Sequence, residues 1–94
     1  MYGSSFRMRP KAGMAGQLRD VMMANPRKPK GMVTAYLLTE DKAGDVWGLA
    51  VFDDEKSYRD NASDPEQGAQ YEKFRALLEA DPEWHDGTIT QRPD

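Results

Sequence analysis

From Asp45 to Asp53 the chain reads Asp-Val-Trp-Gly-Leu-Ala-Val-Phe-Asp, apolar at every position between its two acidic ends. A stretch this short, rich in β-branched and aromatic residues, suits a strand better than a helix. One face of that strand carries Val46, Gly48, Ala50 and Phe52, the other Trp47, Leu49 and Val51. Neither face is polar, so both require cover, an unusual demand for an antiparallel sheet in a small monomer. The pattern predicts helices over one face and a second subunit over the other.

Upstream, Tyr2 to Arg9 alternates Ser4, Phe6 and Met8 against Ser5, Arg7 and Arg9, a strand pattern closed by Pro10. Met14, Leu18, Val21 and Met22 then recur at helical spacing, and Asn25-Pro26 stops that amphipathic helix. Arg27 to Lys30, with Pro29, reads as a stiff loop ending at Gly31. Met32 to Thr39 is a second strand. A polar turn from Glu40 to Gly44 joins it to the central strand and predicts an antiparallel hairpin.

Beyond the central strand, Asp53 and Asp54 can cap a short helix through about Asn61. In Asp64-Pro65-Glu66-Gln67, Asp64 fits an N-cap, Pro65 the first helical position, and Gln67 the far end of a capping box. The helix so opened carries Tyr71, Phe74, Leu77 and Leu78 on one face and runs to Asp81-Pro82. A last strand is expected from Trp84 to Gln91, interrupted at Asp86-Gly87. The order β-α-β-β-α-β, with its second helical region broken in two, predicts one ferredoxin-like α+β domain with an antiparallel sheet over residues 1–94. Helices cover one side of such a sheet. The other side, carrying Trp47, Leu49 and Val51, predicts a sheet-to-sheet homodimer.

Composition narrows the chemistry. With no cysteine, disulfides, thiolate metal sites and thiol catalysis drop out together. No apolar run approaches the ~18 residues of a membrane span and no signal-peptide core opens the chain, so a cytoplasmic protein is expected. Residues 1–47 carry eight Lys/Arg against four Asp/Glu, and residues 48–94 five against twelve. The basic side includes Arg7, Arg9, Lys11, Arg27, Lys28 and Lys30, but an isoelectric point near 5.1 argues against nucleic acid. The RNA recognition motif shares the element order, yet Leu49 and Val51 stand where stacking aromatics are wanted. One histidine and no cysteine leave only carboxylates for a metal, and Asp53, Asp54 and Glu55 read as a helix-cap cluster; no metal site is expected.

Several stretches resemble the antibiotic biosynthesis monooxygenase-like domains of the dimeric α/β-barrel superfamily. They are the first strand ending in Arg9-Pro10-Lys11-Ala12-Gly13, the second strand opening at Gly31, and Val51-Phe52-Asp53-Asp54-Glu55 closing the third. Tyr58 to Asn61 and Asp81-Pro82-Glu83-Trp84-His85-Asp86-Gly87 complete the likeness, which covers nearly the whole chain. The resemblance implies a dimeric α/β barrel and, among members with an activity, either haem degradation or cofactor-free oxidation of quinols and polycyclic phenols. The haem-degrading members use a histidine on the last long helix and an asparagine in the first strand. Residues 65 to 80 hold no histidine and Tyr2 to Arg9 no asparagine, so no haem is expected. The cofactor-free branch implies a substrate that ionises to an enolate-like carbanion and hands an electron to O₂ directly. Such a site needs an aromatic-walled slot and one or two hydrogen-bond donors.

On that reading Trp47, Tyr58, Asn61 and Tyr71 line a pocket between sheet and helices with Phe52, and Arg7 or His85 polarises a small aromatic substrate. Each residue also has a plainer role. Trp47 can be core or interface packing, Asn61 a helix C-cap, and Tyr58 a packed ring with its hydroxyl in water. Tyr71 continues the stripe of Phe74 and Leu78 into the core. Arg75 falls off that stripe and can pair with Glu72 or Glu79. Arg7, on a central strand, must meet a carboxylate, a ligand anion or the dimer seam, and an intersubunit pair is favoured. His85, beside Trp84 and Asp86, suits an exposed turn or edge strand. The alternative to turnover is a dimeric small-molecule binding or accessory protein of the same fold.

Overall fold

The computed structural model describes residues 1–42 and 44–93. Its elements are β1 (Tyr2–Met8), α1 (Ala15–Met23), β2 (Met32–Thr39), β3 (Val46–Phe52), α2 (Glu55–Ala62), α3 (Pro65–Arg75) and β4 (Glu83–Thr88). The four strands form an antiparallel sheet in the order β2-β3-β1-β4. This is the ferredoxin-like α+β arrangement that the element order predicts.

Register decides which side chains meet. Phe6 lies opposite Gly48 and Trp84, and Ser4 opposite Ala50 and Asp86. These residues therefore share one face of the sheet with Met8, Val46 and Phe52. That face meets the helices, where Phe6, Met8, Val46, Leu18 of α1, Phe74 of α3 and Leu78 form the buried core. On the opposite face Arg7 pairs with Trp47, Trp47 with Leu38, and Ser5 with Leu49 and His85. Among the described residues no helix lies over those positions. Two glycines permit close approach: a methyl group at Gly3 would run into the Ala50 carbonyl, and one at Gly48 into the Phe6 ring.

Some boundaries differ from the sequence expectation. The last helix ends at Arg75 rather than near Asp81, because the chain there turns to pair with the end of β1. The Lys11 N–H donates to the Leu77 carbonyl at 2.8 Å and the Glu79 N–H to the Arg9 carbonyl at 2.9 Å. Asp86-Gly87 does not interrupt β4; Gly87 lies in register with Gly3 inside the ladder. Arg75 pairs with Asp81 at 2.7 Å, not with Glu72 or Glu79. The capping box at α3 is half formed. Asp64 accepts from the Glu66 N–H at 2.8 Å, while the Asp64 N–H is taken by the Asn61 carbonyl at 3.0 Å instead of by Gln67.

Asp54 caps α2, accepting from the Ser57 N–H at 2.8 Å. That backbone hydrogen bond, with the Ser57 hydroxyl adding to it, holds the Asp54 carboxyl below its ordinary value of 3.8. A depressed folded-state pKa gives stability that is present above the ordinary value and lost as pH falls through the folded one. Asp54→Ala is therefore expected to lower the melting temperature at neutral pH. In calorimetry, its deficit against the parent should close as the pH drops below 3.8.

Candidate functional site

The core fills only part of the helix-facing side of the sheet. Near the ends of β1 and β3 that carry Met8 and Val46, side chains meet closely. Toward the other ends the inward residues shrink to Ser4, Gly48 and Ala50. Beneath α2 and α3 this leaves a cavity of about 460 Å³, which falls within the ~300–1,000 Å³ usual for small-molecule sites.

Aromatic rings wall it. Phe6 and Trp84 stand 4.9 Å apart between centroids, Trp84 and Tyr71 6.3 Å, and Tyr71 meets Phe74 edge-on at 5.1 Å. Phe52 meets Tyr58 edge-on at 5.6 Å. Met22 of α1 and Met32 and Leu37 of β2 supply the aliphatic side. A flat ring is the shape such walls accept.

Few polar groups reach the cavity. Ser4 is 1% exposed, and among the described residues its Oγ, beside Tyr58, has no hydrogen-bond partner. The Tyr58 hydroxyl donates to Asp86 Oδ1 at 2.9 Å. Burial pushes the Tyr58 phenol up, and the Asp86 carboxylate pushes it further, so the group stays protonated well beyond neutrality. Arg59 donates to the Tyr2 hydroxyl at 2.9 Å and to Asp86 at 3.4 Å, so that the Asp86 carboxylate is shared between Tyr58 and Arg59. At the other side Asn61 accepts from Arg27 at 2.6 Å.

The structure brings together Phe52, Tyr58, Asn61 and Tyr71 of the residues singled out from sequence. It separates Trp47, Arg7 and His85 from them. All three lie on the opposite face of the sheet, where the strand's two-residue alternation places odd-numbered positions of β1, β3 and β4. Trp47 is therefore no wall of this cavity, and Arg7 and His85 do not point into it. Arg7 finds its carboxylate within its own chain. Its Nε donates to the buried Asp45 at 2.8 Å and its guanidinium lies 5.1 Å from the Trp47 ring. Asp45 thus supplies, within the chain, a carboxylate of the kind expected for Arg7. His85 sits exposed on edge strand β4, 3.4 Å from Glu83. Asn61 is not a C-cap either, since α2 continues to Ala62 and Ser63 caps it.

Sequence reasoning missed Ser4, Trp84 and Arg27. Trp84 follows from the β1–β4 register, which puts it beside Phe6, but nothing local in the sequence specifies that register. Among the described residues, no group of three His, Asp or Glu is placed to hold a metal ion. Among the same residues no helix is long and apolar enough to cross a membrane.

An antiparallel β2-β3-β1-β4 sheet with helices on one side and an aromatic-walled cavity between them defines a ferredoxin-like α+β fold. More specifically, the chain has the fold of antibiotic biosynthesis monooxygenase domains. A monooxygenase from the gene ActVA-Orf6 of Streptomyces coelicolor, solved with nanaomycin D, superposes with a TM-score of 0.85 at 16% identity, over 98% of this chain and 89% of that one. SnoaB, a cofactor-independent oxygenase from Streptomyces nogalater, gives 0.81 at 23% identity, over 97% and 94%. A Chloroflexus aurantiacus protein assigned as an antibiotic biosynthesis monooxygenase gives 0.81 at 21%, over 99% and 96%. No protein-family model matches the sequence, and no curated protein sequence matches it.

Proposed function

We propose that the protein is a cofactor-independent monooxygenase that oxidises a flat phenolic or quinol-type aromatic with O₂, working as a homodimer. The observation that carries this reading is the aromatic-walled cavity, mostly apolar, with polar groups at Ser4, Tyr58, Gln70, Tyr71 and the Arg27–Asn61 side. Fold likeness to a cofactor-independent oxygenase adds to it without specifying a substrate.

In the proposed reaction Phe6, Phe52, Tyr71 and Trp84 grip the ring system. Ionisation of the substrate gives an enolate-like carbanion, whose oxygen is stabilised by the Asn61 amide. Tyr58 relays the released proton: its oxygen takes the proton from the substrate as its own hydrogen passes to the Asp86 carboxylate, which ends the step protonated while Tyr58 remains a neutral phenol. One electron passes from the carbanion to O₂, and the two radicals combine into a carbon–oxygen bond. Protonation of the peroxide and loss of the hydrogen on that carbon break the O–O bond, leaving a carbonyl and water. One atom of O₂ enters the product and the other leaves as water. The substrate's oxidised carbon supplies the four electrons.

Oxygen uptake with a panel of anthrones and hydroxynaphthalenes, with and without protein, tests the reading. Uptake above the autoxidation blank that survives a chelator is expected. It should fall about a hundredfold in Asn61→Ala, the usual effect of removing an oxyanion donor. Binding of these aromatics without uptake would instead make the protein a small-molecule binding or accessory protein.

A further inference from the structure

A primary amide has two ends that differ in chemistry and hardly at all in shape, so a neighbour must set which end faces a ligand. For Asn61 that neighbour is Arg27. A guanidinium has only donors, so the Asn61 atom 2.6 Å from Arg27 Nη1 must be the carbonyl oxygen. The NH₂ end is thereby turned away from Arg27, and among the described residues it donates no hydrogen bond of its own.

Arg27 is itself held from several directions. Its Nη2 donates to Asp64 at 2.9 Å and its Nε to Glu66 at 3.1 Å, and its own backbone N–H donates to the Asn25 side chain at 3.1 Å. Its side chain is 19% exposed. Two carboxylates offset its charge and fix its plane across the junction of α2 and α3. Pro26 and Pro29 stiffen the loop that delivers it. A guanidinium anchored in this way is not free to swing into the cavity. It borders the cavity with its plane fixed, and the group it holds toward the cavity is the Asn61 amide.

We propose that Arg27 is a positioning residue: it locks the Asn61 amide with its oxygen outward and its NH₂ presented to the cavity. This makes the site a receptor for an anionic oxygen rather than for a donor. The inference rests on the reading of the cavity as the place of oxidation. The orienting role itself is a property of the free protein and can be measured without substrate.

The test has two arms. In the first, ¹⁵N relaxation of the Asn61 side-chain NH₂, assigned by its loss in Asn61→Ala, is compared between the parent and Arg27→Met. A rigid amide in the parent and a mobile one in Arg27→Met is expected, with Arg27→Lys intermediate. Equal mobility in all three overturns the proposal, whether or not any substrate is turned over. In the second arm, kcat for an anthrone is measured in Arg27→Met, Asn61→Ala and the double variant. Each single variant is expected to lose about a hundredfold in kcat with KM little changed. The double variant is expected to be no slower than Asn61→Ala alone. A further fall in the double variant would mean that Arg27 merely supports the fold, and would overturn the proposal. Absence of uptake in every protein would sink the oxygenase reading and leave the relaxation arm to decide the role of Arg27. Thermal melts of Arg27→Met and Arg27→Lys establish that both variants are folded.

Discussion

Gly3→Ala is expected to destabilise the protein by about 3 kcal/mol, at the upper end of what overpacking usually costs. Gly3 sits in the central strand, flanked in register by Val51 and Gly87. The methyl group would meet the backbone carbonyl of Ala50 on one neighbouring strand and the Ile89 side chain beyond the other. A carbonyl that belongs to a sheet ladder cannot turn aside as a side chain can, so β1 and β3 must separate. Gly48→Ala makes an instructive contrast. There the obstacle is the Phe6 ring, which can tilt toward the cavity, and a smaller loss of about 1–2 kcal/mol is expected. Urea unfolding of both variants gives the comparison. If Gly48→Ala proves the more damaging, the rigid element is the core ring and not the strand spacing.

Leu38→Asp is expected to convert a dimeric protein to a monomer at micromolar concentration, weakening association by a hundredfold or more. The argument begins with the sheet face away from the helices. There Leu38, 59% exposed, lies opposite Trp47, and Tyr36, 63% exposed, lies opposite Leu49. Large apolar side chains gathered on one face, with no element of the described residues above them, fit a second copy packed sheet to sheet. A carboxylate placed in such a seam would be buried without a partner. Because Leu38 is exposed in the single chain, the substitution should leave the fold intact, which circular dichroism can verify. Light scattering decides the matter. A monomeric mass for the unaltered protein would refute the dimer, as would a Leu38→Asp variant that still dimerises.

The elements were legible because their signals are local. The alternation of β1 and β3, the spacing of Met14, Leu18 and Val21 in and before α1, and the Asp-Pro start of α3 each act over a few residues. The end of α3 was not legible, because Leu77 and Leu78 continue a helical apolar pattern. What ends the helix is a distant requirement, the unpaired backbone of Arg9 and Lys11. The candidate site divides along the same line. Tyr58, Asn61 and Tyr71 lie on helices whose inner faces follow from periodicity. Trp47 was assigned to the cavity on its ring alone, although the alternation of its own strand places it on the face opposite Phe52. Arg27 carried no signal. It lies in a loop among other basic residues, and its partners are 34 to 40 positions away in sequence.

The strand β2 bears one further consequence. Met-Val-Thr-Ala-Tyr-Leu-Leu-Thr holds no charge and no proline over eight residues, and it forms an outer edge of the sheet. Edge strands usually carry lysine, proline or a kink that discourages the addition of another strand. Here the register shift between Met32 and Thr34 supplies a kink at one end only. The segment thus has the composition of an aggregation nucleus, with its unpaired amides and carbonyls facing outward. Concentrated solutions of the chain should form fibrils by growth from this edge, and a lysine on it is the economical way to keep the protein dispersed.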